Sequence, residues 1–208
     1  SGSGGGFYYG FSNNNPLLEP ERQETFEVGT EARFLNSRFT IDATYYNTKN
    51  KKLIVEGFRS SYGTGFVLNT LNVGSTQNQG VEVAISADLV KNKKFSWNSR
   101  FNFNKMWNEV LTLPDNVPEF YIGDTWLAFN TRGGMVRGGA TTTLTSYGYQ
   151  RNNKGQILVS PTTGLPLVEA LFKPRGDRNP DFTLGWQNNF TYKNFKISML
   201  WDLKTGGD

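Results

Sequence analysis

Residues 80–107, GVEVAISADLVKNKKFSWNSRFNFNKMW, form one long antiparallel hairpin pattern whose two faces differ. Apolar and polar residues alternate over 81–89, and the alternation resumes over 95–103 after the polar turn KNKK (91–94). A period of two is typical of a strand with a different environment on each side. Strands of about ten residues cross a bilayer at a tilt. The stretch therefore predicts two strands of a transmembrane β-barrel, with lipid on the aromatic face and water on the polar face.

Two further hairpins have the same construction, one over 23–46 with its turn at Asn36-Ser37 and one over 181–204 with its turn at Lys193-Asn194. The predicted apolar face of all six strands carries no charged residue. A charge facing lipid near the midplane costs roughly 2–4 kcal/mol, so lipid imposes such an exclusion. The polar exceptions on this face are Thr30, Ser99 and Asn188.

A soluble β-sandwich, such as a carbohydrate-binding or lectin-like module, buries one face of each sheet and is the alternative interpretation. The connections favour the barrel, because short turns alternate with the long segments 47–79 and 108–180. Outer-membrane barrels have short periplasmic turns and long extracellular loops. Aromatic residues near the short turns predict a girdle at the periplasmic interface. They are Phe34, Phe39, Phe95, Trp97, Phe190, Tyr192 and Phe195.

Composition excludes several function classes. Hydrophobic residues make up 37% of the 208 residues, and no run reaches the ~20 apolar residues of a spanning helix. Cysteine and histidine are both absent, which removes thiolates, imidazole bases and nearly all zinc sites. The net charge of +4 is small and the lysines are scattered without forming a stripe, so we expect no nucleic-acid partner.

No catalytic, cofactor or metal site is predicted. Asp115, Glu119 and Asp124 are interpreted as solvated loop acids rather than a glycosidase pair. The Arg-Gly-Gly repeats at 132–134 and 137–139 lack the strand–loop–helix context of a phosphate cradle. Within 108–180, the segments 146–150 and 156–159 flank the turn Asn152-Asn153-Lys154-Gly155 and predict a small hairpin. We expect a binding and transport protein, not an enzyme.

The chain begins SGSGGG, which reads either as a linker or as a natural flexible loop, and it ends in GGD. We expect a piece of a longer protein. Several short motifs support this by their order and spacing, and together they resemble the late-barrel region of TonB-dependent outer-membrane receptors, specifically the SusC/RagA branch. The motifs are NNNPLLEPE (13–21), FEVG (26–29), YYN (45–47), NVG (72–74), NQGVE (78–82), YGY (147–149), GLP (164–166), NPDF (179–182) and GGD (206–208).

The resemblance implies a 22-stranded barrel with an N-terminal plug, of which residues 1–208 supply about six strands from the C-terminal portion. It places the plug and the last strands outside this chain, and residues 108–180 in a long extracellular loop. It further implies import of nutrient oligomers, either glycan or peptide, through a barrel embedded in outer-membrane lipid. The implied partners are a SusD-like surface lipoprotein and the energy-coupling complex of TonB, ExbB and ExbD.

Loops on a rigid scaffold usually carry the binding residues. Aromatic rings of the two long connections are candidates for stacking on a substrate: Tyr62, Phe66, Phe120, Tyr121, Trp126 and Phe129. Charged residues on the predicted lumen face are expected to pair with one another or with the plug rather than to select substrate. They are Glu27, Glu31, Arg33, Asp42, Glu82, Asp88, Arg100 and Asp202.

Overall fold

A computed structural model describes residues 12–13, 15–59, 68–115, 117, 119–120, 126–127 and 131–208. Among these residues, no helix is long and apolar enough to cross a membrane. The regular elements are strands: β1 (Ser12–Asn13), β2 (Arg22–Phe34), β3 (Phe39–Lys51), β4 (Ile54–Arg59), β5 (Leu68–Asn72), β6 (Ser75–Lys91), β7 (Phe95–Thr112), β8 (Glu119–Phe120), β9 (Trp126–Leu127), β10 (Thr131–Gly133), β11 (Met135–Val136), β12 (Thr143–Ser146), β13 (Lys173–Asp177), β14 (Phe182–Tyr192) and β15 (Phe195–Thr205).

The six long strands form one antiparallel sheet in the order β15-β14-β7-β6-β3-β2. Each long strand lies beside the long strand that precedes or follows it in sequence, so the sheet is an up-and-down meander. This arrangement confirms the three predicted hairpins and the all-β antiparallel class. The smaller strands form separate small sheets, built from the long connections and from β1, which precedes β2.

The register places the predicted apolar residues on one face, since directly paired residues point to the same side of a sheet. Phe195 and Trp201 on that face are 75% and 63% exposed. A β-sandwich would bury this face under a second sheet, so in the described residues the exposed rings do not favour the soluble alternative. One cross-sheet row is Ala32, Ile41, Ile85, Phe101, Trp186 and Trp201.

Two of the three polar exceptions on the apolar face are acceptors for tryptophan. Trp97 Nε1 donates to Asn188 Oδ1 at 2.9 Å, and Trp186 Nε1 donates to Ser99 Oγ at 2.9 Å. Ser99 and Asn188 are themselves paired across β7 and β14. Because an indole N–H in an apolar medium needs an acceptor, these polar residues complete the aromatic face instead of interrupting it.

The alternation over 81–89 does not continue unbroken to the turn. The register of β6 on β7 shifts between Asp88 and Val90, so Leu89 is the extra residue of a β-bulge and Val90 pairs with Trp97. Arg38 explains how the bulge is held, because its guanidinium donates to the carbonyls of Asp88 at 3.0 Å and Leu89 at 3.4 Å. The prediction that Leu89 is a regular member of the apolar face is therefore wrong: a side chain on another hairpin fixes the bulge.

The central strands are much longer than the predicted ten residues, with 17 in β6 and 18 in β7. Their extra residues pair above the apolar band, for example Gln77 with Glu109 and Asn78 with Asn108. The long connections consequently span 52–74 and 113–181, less than predicted. Most side chains at this level are polar, and the apolar ones, such as Trp107 and Val110, do not continue the alternation.

The short turns have the predicted positions. Asn92 Oδ1 accepts the amides of Lys94 and Phe95 at 2.9 and 2.8 Å, and Lys193 has a positive φ of 51°. The Lys193 amide donates to the Lys94 carbonyl at 3.0 Å, so two lysine-bearing turns lie side by side. Rings of the predicted girdle are in contact nearby, with centroids 5.4 Å apart for Trp97 and Phe190.

Replacement of Asn188 by Leu removes the acceptor of the Trp97 indole. We expect the free energy of unfolding to fall by about 1–3 kcal/mol, the cost of leaving a buried donor without a partner. Urea unfolding of the full-length protein in lipid vesicles measures this change in the free energy of unfolding. Thr30→Leu is the matched control, since Thr30 is on the same face but pairs with Ala43. Equal effects of the two substitutions would contradict the role of Asn188.

Candidate functional site

The core of the described chain lies at the long-connection end of the sheet, not along the apolar band. Val110 at the end of β7 is fully buried and packs with Leu113, Val117, Phe120 and Met135. We call this group the loop core. It shows that the connection 113–181 is folded down onto the extended strands, which gives this end of the sheet a defined surface.

The structure describes only two of the six aromatic residues that were predicted to stack on substrate. Phe120 is 9% exposed and packs in the loop core. The backbone of Trp126 is in β9, where it pairs with Arg132. The other four predicted rings, Tyr62, Phe66, Tyr121 and Phe129, lie outside the described residues. Substrate stacking by these residues stays a prediction.

An ion pair that sequence analysis did not predict holds the loop core to its neighbours. Both guanidinium arms of Arg132 bind Glu119, with Nε 3.1 Å from Oε1 and Nη2 2.5 Å from Oε2. The hydroxyl of Thr145 donates to the same carboxylate, and the guanidinium lies 3.9 Å from the ring centroid of Phe172. A bidentate pair of this kind fixes direction as well as charge. The three loop strands β8, β10 and β12 are thereby joined.

The same contacts argue against a glycosidase carboxylate pair and against a phosphate cradle at the Arg-Gly-Gly repeats. The interpretation of Glu119 as a solvated loop acid is wrong, because Arg132 and Thr145 bind its carboxylate. The Asp115 side chain is fully exposed, and Asp124 lies outside the described residues. The amides of the glycine repeats are also occupied, since Gly134 donates to Thr143 and Gly138 donates to Val110. These residues hold the loop together and present neither a carboxylate pair nor a free nest of amides.

Residues 148–169, which we call the tip, contain the predicted small hairpin in a modified form. The turn is confirmed, with Asn152 Oδ1 accepting the amides of Lys154 and Gln156. The pairing is not a simple hairpin, because Arg151 pairs with Ile157 and a third segment pairs with both of its arms. Apolar side chains on the tip are exposed to solvent: Tyr149, Ile157, Leu158, Val159, Leu165 and Val168.

Glu169 anchors the tip at its base. It forms salt bridges with Lys173 at 3.1 Å and with Arg175, while its amide donates to Gly148. The hydrogen bond from Lys173 is the main reason that the pKa of the Glu169 carboxyl is below its usual value of 4.5; partial desolvation opposes this and Arg175 adds to it. A Cβ at Gly148 would overlap the Arg175 guanidinium in its present position, so a larger residue there would displace the partner of Glu169.

Two motifs that are distant in sequence meet beside the tip. Asp208 Oδ2 accepts the Asp177 amide at 2.9 Å, and the Asp208 amide donates back to the Asp177 carbonyl. Gly206 and Gly207 have positive φ values of 73° and 87°, which a glycine adopts without strain. The Asp181 amide of the NPDF motif donates to the Thr205 carbonyl at 2.7 Å. The NPDF and GGD motifs thus lie together at the open end of the β14–β15 hairpin.

The other long connection is tied down by the NVG motif. The Asn72 side chain donates to the carbonyls of Glu19 at 2.8 Å and Lys52 at 2.7 Å, and it accepts the Glu19 amide. Val73 is buried, and a Cβ at Gly74 would overlap the backbone of Thr112. The motif therefore joins three segments where the chain re-enters the sheet.

The polar face of the sheet has its own local pairs. Tyr46 covers Gly80, its direct neighbour across β3 and β6, so a Cβ there would overlap the ring. Arg33 binds Glu31 at 2.6 Å, and Asn104 donates to Glu82 at 3.1 Å. These contacts agree with the expectation that charges on this face pair with other residues of the protein.

The sheet, its exposed apolar face and the folded loops fit one family. Residues 1–206 match the family model for the TonB-dependent receptor-like β-barrel. The chain belongs to the TonB-dependent receptor β-barrel family. As a member, it is an outer-membrane β-barrel protein of antiparallel β fold. In such barrels the apolar face of the strands is the one that meets lipid.

Relatives support the assignment. The chain is 24% identical over 218 residues to TonB-dependent receptor P3 of Formosa agariphila, covering 95% of the chain and 21% of that protein. It is 28% identical over 183 residues to TonB-dependent receptor SusC of Bacteroides thetaiotaomicron, covering 86% of the chain and 17% of that receptor. These relatives are named as receptors, not as enzymes.

Solved structures show the same fold. The RagAB peptide transporter matches with a TM-score of 0.69 and 19% identity over 91% of this chain and 22% of that one. The RagAB peptide importer in its 'open-open' state matches with the same TM-score over 93% and 21%. The chain thus spans about a fifth of the length of the proteins it resembles.

Arg132→Met tests the ion pair of the loop core. It leaves the Glu119 carboxylate largely buried without its partner, which typically costs roughly 3–5 kcal/mol. We expect the amides of β10 and β12 to lose protection from hydrogen exchange in the full-length receptor. The double variant Glu119→Gln/Arg132→Met removes both charges and is expected to recover much of the protection. If the double variant loses as much exchange protection as Arg132→Met does, the unpaired charge is not the cause of the loss.

Protonation of Glu169 is expected to loosen the tip. Because the pKa in the folded protein is below 4.5, the anchor contributes its full stability above about pH 4.5 and loses it as the pH falls through the folded pKa. Exchange protection of the Gly148–Glu169 segment, corrected for intrinsic rates, should decrease on acidification. Glu169→Gln is expected to have low protection already at neutral pH and little pH dependence. A wild-type protection factor that is constant from pH 6 to 3 would refute this.

Proposed function

We propose that the full-length protein imports nutrient oligomers across the outer membrane by a TonB-dependent, SusC-like mechanism. The observation that carries the proposal is the division of the sheet into a lipid-facing apolar face and a polar inner face, with long folded loops at one end only. In this proposal the chain is part of the C-terminal portion of the barrel, and the plug and last strands lie outside it. The loops face outward and the short turns face the periplasm.

The substrate class is an oligomer of sugars or of amino acids. Peptide is supported by the description of RagAB as a peptide importer, and glycan by the resemblance to the SusC branch. The inner strands line a passage, and the loops supply recognition through rings such as Trp126 and Phe129. Passage requires binding and gating but no bond chemistry, so energy comes from TonB with ExbB and ExbD.

A SusD-like surface lipoprotein is the proposed partner at the loop end. The exposed apolar side chains of the tip support this, since Leu165, Val159 and Val168 are all at least half exposed in one folded loop. Exposed apolar groups on an ordered surface mark interaction sites more often than scattered ones do. The loop core and the Glu169 anchor hold this surface in place.

The test is growth of a gene-deletion strain on panels of oligosaccharides, peptides and the corresponding monomers. We expect loss of growth on one oligomer class, with normal growth on its monomers, and rescue by the full-length gene. Deletion of TonB should give the same loss, and replacement of residues 148–169 by a Gly-Ser linker should weaken uptake. Normal growth on every oligomer, or a defect that includes monomers, would overturn the proposal.

A further inference from the structure

The short-turn end of the sheet has a concentrated positive charge. We define the turn end as residues 35–38, 91–94 and 193–194. Its basic side chains are exposed, and the nearest acidic side chain of β6 is Asp88. The hydrogen bond between Lys193 and Lys94 makes two of the three turns neighbours. The basic residues are Arg38, Lys91, Lys93, Lys94 and Lys193.

Two of these cations have protein partners. Arg38 donates to the carbonyls at the β6 bulge, and Lys91 is 3.4 Å from Asp88. The ion pairs found among the described residues do not include Lys93, Lys94 or Lys193. Like charges held side by side repel unless an anion lies between them. Three lysines are therefore available to an external anion.

Exposed rings of the lipid-facing side lie immediately next to these lysines. Phe195 and Tyr192 flank the Lys193 turn, and the Lys193 ammonium lies 5.5 Å from the Tyr192 ring centroid. Aromatic rings of this kind mark the level of lipid headgroups in membrane proteins. The lysines are consequently at phosphate depth, on the water side of the rings.

The opposite end of the same outward face carries both acidic and basic side chains. There Glu24 forms salt bridges with Arg22 at 3.0 Å and Lys51 at 2.8 Å, and Glu109 is in the same cross-sheet row. Charges of both signs are thus present at that end, and Glu24 neutralises part of its positive charge within the protein. At the turn end, the described ion pairs give an acidic partner to Lys91 alone.

We propose that the turn end binds anionic phospholipid headgroups, with Lys93, Lys94 and Lys193 as the phosphate ligands. The leaflet rests on the proposed function: turns that face the periplasm place the site in the inner leaflet of the outer membrane. Lysines near an anionic membrane surface each strengthen binding by roughly fivefold. Phospholipid held by these lysines ties the β6–β7 and β14–β15 hairpins to the membrane boundary.

The experiment uses the purified full-length receptor in detergent with added phosphatidylglycerol or phosphatidylcholine. Native mass spectrometry counts the lipids retained, and titration gives the apparent affinities. We expect preferential retention of phosphatidylglycerol, and weaker binding in Lys93→Gln/Lys94→Gln/Lys193→Gln by roughly fivefold per lysine. Raising the salt concentration should weaken wild-type binding, because exposed charges are screened.

The matched control is Lys49→Gln/Lys154→Gln/Arg178→Gln, which removes the same charge away from the turn end. It should retain phosphatidylglycerol like the wild type. Equal retention of the two lipids, salt-independent retention, or equal loss in both triple variants would overturn the proposal. Nutrient uptake is measured in parallel: a wild-type receptor that takes up nutrient normally but shows no preference for phosphatidylglycerol would reject the lipid site and leave the proposed function standing.

Discussion

The rest of the structure depends on one constraint: a single sheet has lipid on one face and water on the other. Lipid offers no hydrogen bonds, so each backbone group in the apolar band must be satisfied by the neighbouring strand. The long antiparallel ladders of β3, β6 and β7 meet that demand. The same demand extends to side chains, and the Trp97–Asn188 and Trp186–Ser99 bonds meet it for the indole N–H groups.

This constraint also explains which parts of the fold could be predicted from the sequence. Where one face meets lipid and the other water, the alternation of residues records the environment directly, so the three hairpins, their faces and their turns were correctly predicted. Above the apolar band most side chains are polar and the alternation stops. Pairs such as Gln77 with Glu109 then leave no periodic signal, and the strand extensions were missed.

Features that depend on contacts between distant segments were not predictable from local pattern. The bulge at Leu89 is held by Arg38 from another hairpin, and Glu119 finds Arg132 only after the loop has folded. A residue pattern reports the type of environment and not the identity of a partner. The same limit applies to Phe120, which hydropathy alone does not distinguish as a packed ring or a surface ring.

The structure separates the elements that set position from those available for recognition. Asn72, Glu119 and Glu169 each fix a loop segment to a neighbouring segment through named hydrogen bonds. Their side chains are occupied by the protein itself, so substitution there changes the shape of the loop end as a whole. The tip surface has no such role in holding the described chain together. Variation in its exposed side chains can therefore alter what the receptor contacts while the sheet beneath stays unchanged.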